Sequence, residues 1–144
     1  MKGVNEKSAE SGAALVEFAM VLPLLLLLLF GIVEFGLLFY NKQVLTNASR
    51  EGARAGIAYA TTAKIRDTVE RYCRRNIQSS RLIRFDTEAA PNPTVIGAMG
   101  SYGQNLTVAV SYNYTFLLPD LLGFGPIMQL TAETVMKMES PATP

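Results

Sequence analysis

Residues 18–40 read FAMVLPLLLLLLFGIVEFGLLFY, an apolar run of 23 residues in which Glu34 is the only charge. As a helix this run would be about 34 Å long, at about 1.5 Å per residue. The hydrocarbon core of a membrane is about 30 Å thick, so the run is long enough to span it once. We therefore expect a single-pass membrane helix near the start of the chain.

A short polar leader precedes the apolar run and ends at Gly12. Its charged side chains cancel: Lys2 and Lys7 against Glu6 and Glu10. An ordinary secretory signal would follow its apolar stretch with a small-residue cleavage site, but residues 40–43 read YNKQ. Any cleavage therefore has to come before the apolar helix, which would remain on the mature chain.

Helical character continues beyond the apolar run to about residue 60. Small residues recur there at a spacing of four, at Ala48, Gly52, Gly56 and Ala60. Such a small-xxx-small pattern allows two helix backbones to approach closely. The helix that packs there belongs either to another subunit or to the domain of the same chain.

Pro23 lies inside the apolar run. In a helix, proline removes one backbone hydrogen bond and clashes with the carbonyl four residues back, here that of Ala19. We expect a kink or an opened turn at residues 19–23, which would act as a helix hinge. A proline tolerated in a membrane helix with little bend is the alternative.

The period of the apolar residues changes in the second half of the chain. Thr61 and Thr62 are a plausible cap for a second helix, whose apolar residues recur every three or four positions: Ile65, Val69, Tyr72, Cys73 and Ile77. After a break at residues 89–93, apolar and polar residues alternate along 106–116, as in a half-buried strand. Residues 94–98 and 130–138 predict two shorter strands. We expect the strand at 106–116 to be central, with its apolar side chains facing the second helix.

The predicted fold class is α+β: a long N-terminal membrane-spanning helix extends into a small domain, in which a second helix packs on a short antiparallel sheet. The expected boundaries are a leader at 1–12, a transmembrane helix at 13–40, a helix extension at 41–60, a small external α+β domain at 61–140 and a tail at 141–144.

The formal net charge of +1 gives no reason to expect a nucleic-acid partner, but the charge is unevenly distributed. Between Lys64 and Arg84 there are seven basic residues and two acidic ones. From Phe85 onward there are five acidic residues and one basic residue, a lysine. One interpretation is that both segments are simply exposed to solvent. The other is that the basic segment contacts anionic lipid headgroups or the acidic part of a neighbouring subunit.

No constellation of residues looks catalytic, and we expect no enzyme activity, cofactor, metal or small-molecule substrate. The chain has no histidine, and Glu17 and Glu34 would lie about 25 Å apart on one helix, too far to work as an acid–base pair. Cys73 is the only cysteine, which excludes a disulfide within the chain. We expect it in the core; an intermolecular bridge is the alternative.

Several motifs in the first two-fifths of the chain agree in order and spacing with one known family. They are Gly12-Ala13, Glu17-Phe18, Leu22-Pro23, GIVEFG at 31–36 and NASREGARA at 47–55. With these motifs the chain resembles TadE-like proteins, which are minor pilins or pseudopilins of tight-adherence (Tad/Flp) pilus systems and relatives of type IV pilins.

The resemblance implies that a prepilin peptidase cuts after Gly12, so that the mature chain begins at Ala13 and Glu17 is its fifth residue. The carboxylate at that position matters in type IV pilins, and we expect Glu17 to pair with the Ala13 amine during assembly. The resemblance also implies a cytoplasmic leader and a C-terminal domain outside the bacterial inner membrane. Positive-inside reasoning leans weakly the other way, because three basic residues closely follow the helix: Lys42, Arg50 and Arg54.

The function that the resemblance implies is structural: pilus assembly and surface adherence. The implied partners are the membrane, the prepilin peptidase, other pilins or pseudopilins and the Tad assembly platform. The implied location is the inner membrane or, after assembly, an extracellular pilus; the sequence leaves open whether the chain enters the fibre, lies at its tip or stays in the assembly machinery. The alternative is an uncleaved, single-pass envelope protein whose external domain binds a partner. Gly12 followed by Ala13 and Glu17 favours the pilin, because an uncleaved anchor has no need of that signature.

Overall fold

The structure is a computed structural model that describes residues 3–78, 91–116 and 127–139; side chains are described within 11–76, 91–116 and 127–139, so the side chain of Ile77 lies outside the described residues. The elements are helices α1 (Gly3–Ile57) and α2 (Thr62–Gln78) and strands β1 (Asn92–Ile96), β2 (Asn105–Thr115) and β3 (Ile127–Lys137). The chain divides into two compact units, Met1–Gly36 and Leu37–Pro144. The predicted α+β class is confirmed.

The described part of the first unit is entirely helical and belongs to α1. Its apolar side chains point outward on all sides; Leu15, Phe18, Leu24 and Leu28 are each more than half exposed. A helix that is apolar all round is typical of a membrane span. Within the described ranges, α1 is the one helix that is long and apolar enough to cross a membrane, by its length and composition.

The sheet of the second unit is antiparallel in the order β1-β2-β3, so β2 is central, as predicted. The six apolar side chains of residues 106–116 are all buried: Leu106, Val108, Val110, Tyr112, Tyr114 and Phe116. Thr107 and Ser111 between them are half-buried and Asn113 is exposed. The predicted register of β2 is therefore confirmed, and a shift by one residue would expose the whole apolar row.

Helix α1 contributes directly to the core of the second unit and runs in the same direction as β3. The Lys42 ammonium donates to the Thr131 carbonyl, and the Ser49 and Thr134 hydroxyls are 2.7 Å apart. The two α1 positions are seven residues apart along a helix and the two β3 positions three residues apart along a strand, and both separations are about 10 Å. The core therefore includes Val44, Leu45, Ala48 and Ala53 of α1 as well as α2 and the sheet.

Helix α1 ends at Ile57 because the backbone turns left-handed at Tyr59, where φ is 61°. The Tyr59 N–H donates to the Gly56 carbonyl at 3.0 Å and the Ala60 N–H to the Ala55 carbonyl at 3.3 Å. These are the two hydrogen bonds of a Schellman motif, which usually has glycine at the left-handed position. The Tyr59 hydroxyl also donates to the Glu139 carbonyl at 2.7 Å, which ties this turn to the end of β3.

Helix α2 returns antiparallel along α1. The Tyr40 hydroxyl of α1 donates to the Asn76 carbonyl at 2.9 Å, close to the end of α2, whereas Gly56 of α1 lies against Ile65, close to its start. The Thr61 hydroxyl accepts a 3.4 Å hydrogen bond from the Lys64 N–H, so Thr61 caps α2. The predicted apolar stripe of α2 faces the core at Ile65, Val69 and Cys73.

Candidate processing and assembly site

The residues of the predicted processing site lie on α1 in the first unit. Gly12, Ala13 and Glu17 are exposed, and a Cβ added at Gly12 would meet nothing within 4 Å. Ala13 and Glu17 are four residues apart and therefore lie on the same helix face, with roughly 5–6 Å between their Cβ atoms. This spacing allows a Glu17 carboxylate to reach an amine at Ala13 of the same helix.

Pro23 lies inside α1, which continues through it. The side chain is exposed and follows Glu17 by six residues. The hinge at residues 19–23 stays a prediction.

Glu34, the only charge of the apolar run, is 3% exposed, whereas its neighbours Val33 and Phe35 are 47% and 45% exposed. A carboxylate that faces lipid is unfavourable, by about 2.5–3.5 kcal/mol at the centre of a membrane helix on insertion scales. Because Glu34 is buried, its carboxylate is not exposed to the surroundings of the apolar run.

The small residues of α1 are packed tightly within the second unit. A Cβ added at Gly52 would lie 2.5 Å from Val69 Cγ2 of α2 and 3.2 Å from Val108 Cγ1 of β2. Both contacts are shorter than ordinary van der Waals separation, about 3.5–4.0 Å between carbons. The absence of a side chain at Gly52 therefore lets α1 pack closely on α2 and the central strand.

Gly56 repeats this arrangement one turn later. A Cβ there would collide with Leu106 Cδ2 and lie 3.0 Å from Ile65 Cδ1. Ala48 is fully buried, whereas Ala60 is half-buried and follows the end of α1. From Ala48 to Gly56, the small-residue stripe packs on the domain of its own chain, one of the two partners that the sequence left open.

Cys73 is 1% exposed in this core. Burial, with a smaller contribution from the nearby Glu70 carboxylate, raises the pKa of the Cys73 thiol from 9.0 to about 12. The thiol is therefore protonated at neutral pH, which makes it a poor nucleophile in the folded protein. The expectation of a core cysteine is confirmed.

Three residues at the end of the apolar run and just after it make contacts that the sequence did not reveal. Tyr40 bonds to α2 and Lys42 bonds to β3, as described above. Asn41 is 1% exposed; its Nδ2 donates to the Leu37 carbonyl at 2.9 Å, and its Oδ1 has no hydrogen-bond partner among the described residues. An aromatic and polar segment at the end of a membrane helix is typical of the membrane–water interface. This composition was the one feature of the sequence that could have marked residues 40–42 as important.

No group of three potential metal-ligating side chains (His, Cys, Asp or Glu) lies together in the described ranges. Arg71 and Asp67, four residues apart on the exposed face of α2, form an ion pair. An exposed pair of this kind contributes little to the stability of the fold. Three features distinguish α1: its N-terminal signature, its apolar surface and its small-residue stripe.

The N-terminal signature and the first two residues of the small-residue stripe, Ala48 and Gly52, fall inside one family match. The chain is TadE-like over residues 12–54. The match begins at Gly12 and lies entirely on α1, so that α2 and the sheet fall outside it. No curated protein and no solved structure has a significant match to the chain.

The resemblance found from the sequence motifs is thereby confirmed. The match to TadE-like proteins indicates an association with Tad pili; the role of that family is structural rather than enzymatic. The single N-terminal apolar helix indicates membrane anchoring.

Proposed function

We propose that this TadE-like chain is a structural minor pilin or pseudopilin of a Tad-type pilus, processed after Gly12 and acting in pilus assembly and surface adherence. The observation that carries the proposal is the extent of the family match, which starts at the predicted cleavage residue and follows α1 to Arg54. The exposed Gly12 and the apolar surface of α1 support it, because a peptidase needs access and a filament core needs apolar helices to pack.

The proposed pairing of Glu17 with the Ala13 amine follows from the energetics of charges near a membrane. Cleavage after Gly12 would create a positive amine at Ala13, and Glu17 lies one helical turn deeper, on the same face. An unpaired carboxylate there is unfavourable, and so is an unpaired amine. If the two groups pair between neighbouring subunits, one axial stagger of adjacent helices is favoured, because any other leaves two charges desolvated.

The pairing is tested by Glu17→Ala. We expect the variant to insert into the membrane and to be processed normally, but to be lost from pilus components in a pull-down. Glu10→Ala is the matched control, because it removes the same charge from the leader, which is cut away before assembly. Normal recovery of the Glu17→Ala protein with pilus components would refute the pairing.

Processing is tested separately by Gly12→Leu. A bulky residue at this position should block cleavage, so that the uncut chain accumulates in the membrane. Gly36→Leu introduces the same side chain on the same helix at another site where a Cβ meets nothing within 4 Å, and it should be cut normally. Equal processing of both variants would contradict a peptidase that reads Gly12.

The proposal also places the leader in the cytoplasm and the C-terminal unit outside the bacterial inner membrane, where the prepilin peptidase, other pilins and the Tad assembly platform are the partners. Exposed basic residues of α2, among them Arg66 and Arg74, supply trypsin sites on that unit. Trypsin added to spheroplasts should cut the chain within that unit and so shorten the membrane-anchored protein. Protection that is lost only when the inner membrane is broken would reverse the orientation.

A further inference from the structure

The register of β3 determines which of its backbone groups point away from the sheet. Met138, just past the end of the strand, donates its N–H to the Gln104 carbonyl at 2.8 Å and accepts from the Gly103 N–H at 3.0 Å. Successive residues of a strand direct their backbone groups alternately to one side and the other. The even-numbered residues of β3 therefore pair with β2, and the odd-numbered ones direct their N–H and C=O groups outward.

This outer edge of β3 is accessible. The residues whose backbone groups point outward are all exposed: Ile127, Gln129, Thr131, Glu133, Val135 and Lys137. Among the hydrogen bonds within the described ranges, one reaches this edge: the Lys42 ammonium donates to the Thr131 carbonyl, which agrees with the outward direction of that group. A lysine is a common protection of an edge strand. Lys42 is exposed and its stem is flexible, so it can yield this carbonyl to another donor.

The opposite edge of the sheet, formed by β1, offers much less to an added strand. Its outward positions are Pro93 and Val95, because the β2 residues opposite them are even-numbered and pair with β3. Proline has no N–H, so Val95 is the one outward donor of the five-residue strand. Short strands and prolines are typical protections against edge pairing. β3 has eleven residues and no proline, so it lacks both protections.

We propose that the outer edge of β3 binds an extended segment of another protein, which adds a fourth strand to the sheet. The inference rests on the second unit alone, and not on processing or pilus assembly. The outward groups of β3 repeat every two residues, about 6.6 Å, and the backbone of an extended peptide repeats at the same distance. Main-chain hydrogen bonds supply the affinity in this mode of recognition, and the side chains of alternate residues supply the specificity.

The exposed side chains of β3 define the chemistry of the bound segment. Ile127 is 59% and Val135 is 52% exposed, and the exposed Glu133 lies between them. Cross-strand pairing favours apolar side chains opposite Ile127 and Val135 and a basic one opposite Glu133. A second copy of β3 fits less well along its whole length. Antiparallel pairing would set Ile127 opposite Lys137, and parallel pairing in register would set Glu133 beside its counterpart.

The test uses the full chain in phospholipid nanodiscs and a fluorescent nine-residue peptide, Val-Thr-Lys-Thr-Thr-Ser-Thr-Thr-Val, whose binding is followed by anisotropy. In antiparallel order its odd-numbered positions lie opposite the odd-numbered residues from Val135 to Ile127, with the lysine opposite Glu133. N-methylation at peptide positions 3, 5 and 7 removes N–H groups that face β3 and should weaken binding by about tenfold or more. N-methylation at positions 4, 6 and 8 removes N–H groups that face away, and should leave the affinity unchanged.

Two variants of the protein give a matched comparison. Glu133→Pro removes an outward N–H and leaves the hydrogen bonds to β2, whereas Glu133→Ala removes the same carboxylate and keeps the N–H. We expect Glu133→Ala to weaken binding of the peptide by up to about fivefold, through loss of the charge pair, and Glu133→Pro to weaken it about tenfold further. Unchanged protection of Cys73 from alkylation checks that both variants are folded.

Three results would overturn the proposal. The first is the absence of saturable binding of the unmethylated peptide up to about 1 mM. The second is equal binding of the two N-methylated peptides, which would assign the association to side chains and not to strand addition. The third is conversion of a dimer to a monomer by Glu133→Pro, which would assign the edge to a second copy of the chain. None of these results bears on cleavage after Gly12, so this proposal and the proposed function can fail independently.

Discussion

Substituting Gly52 by alanine tests the close approach of α1 to the rest of its domain. The new Cβ would lie 2.5 Å from Val69 Cγ2 and 3.2 Å from Val108 Cγ1, so both neighbours must move by several tenths of an ångström to more than 1 Å. Both are fully buried, and both are β-branched and therefore stiff. Overpacking of this kind costs about 1–3 kcal/mol.

The same substitution has a favourable term, because alanine is better than glycine in a helix by about 1 kcal/mol. We take the upper end of the overpacking range for two stiff, buried neighbours of Gly52, which leaves a net loss of about 2 kcal/mol in the free energy of unfolding. The population of opened molecules should then rise about 30-fold, since 1.4 kcal/mol is a factor of about ten.

Alkylation of Cys73 measures this population directly. The thiol is the only one in the chain, it is 1% exposed, and burial raises its pKa to about 12, so it reacts only when the domain opens. We expect Gly52→Ala to be labelled about 30-fold faster than the original chain when opening is at equilibrium. Gly36→Ala, on the same helix but with nothing within 4 Å of its Cβ, should not be labelled faster.

A second variant separates overpacking from other causes. In Gly52→Ala/Val69→Ala the new methyl group occupies space vacated by the valine, so the double variant should be more stable than the sum of the two single changes predicts. Additive effects, or a labelling rate for Gly52→Ala no faster than that of the original chain, would refute a tight approach at this position.

Four further changes have defined outcomes. Leu106→Ala removes a fully buried side chain of the central strand and should cost about 2–5 kcal/mol, seen as a lower denaturation midpoint; a loss below 1 kcal/mol would contradict its place in the core. Ser49→Ala leaves the half-buried Thr134 hydroxyl without its 2.7 Å partner. The loss of stability should be about 1 kcal/mol, which lowers Tm by about 4–8 °C. Thr134→Val added to Ser49→Ala should then lower the stability little further. The raised pKa of Cys73 stabilises the fold fully below about pH 9, and this contribution is lost as pH rises toward about 12; the urea midpoint should therefore fall more steeply above pH 9 than in Cys73→Ala, and parallel profiles would contradict the shift. Pro23→Ala should insert normally but enter pili less well if residues 19–23 act as a hinge, and normal incorporation would remove that role.

The spacing of apolar residues predicted the strands and helices correctly where one face of the element is buried and the other is exposed. The apolar row of residues 106–116 indicated both the strand and its buried face, and the spacing of Ile65, Val69 and Cys73 indicated the inward face of α2. Strand ends were less accurate. β1 begins at Asn92 and includes Pro93, which an edge strand tolerates, and β3 begins at Ile127, three residues before the predicted start.

The predicted end of α1, about residue 60, is within three residues of Ile57, but the type of turn that ends the helix and the contacts around it were not predictable from local pattern. The helix ends with a non-glycine residue in the left-handed conformation, Tyr59, so the usual glycine signal for a helix end is absent. Tyr40 and Asn76 are 36 positions apart, and Lys42 and Thr131 are 89 positions apart. These contacts depend on how α2 and β3 return to α1, which no single motif specifies. Gly12, Ala13 and Glu17, in contrast, were found through the order and spacing of the family motifs.

The intact mass of the protein isolated from its own membranes tests the pilin assignment most directly. Our account predicts that cells with an active prepilin peptidase yield a chain that has lost residues 1–12 and begins at Ala13, and that cells without the peptidase retain the leader. A full-length chain in both kinds of cell would contradict the account and favour an uncleaved membrane-anchored envelope protein.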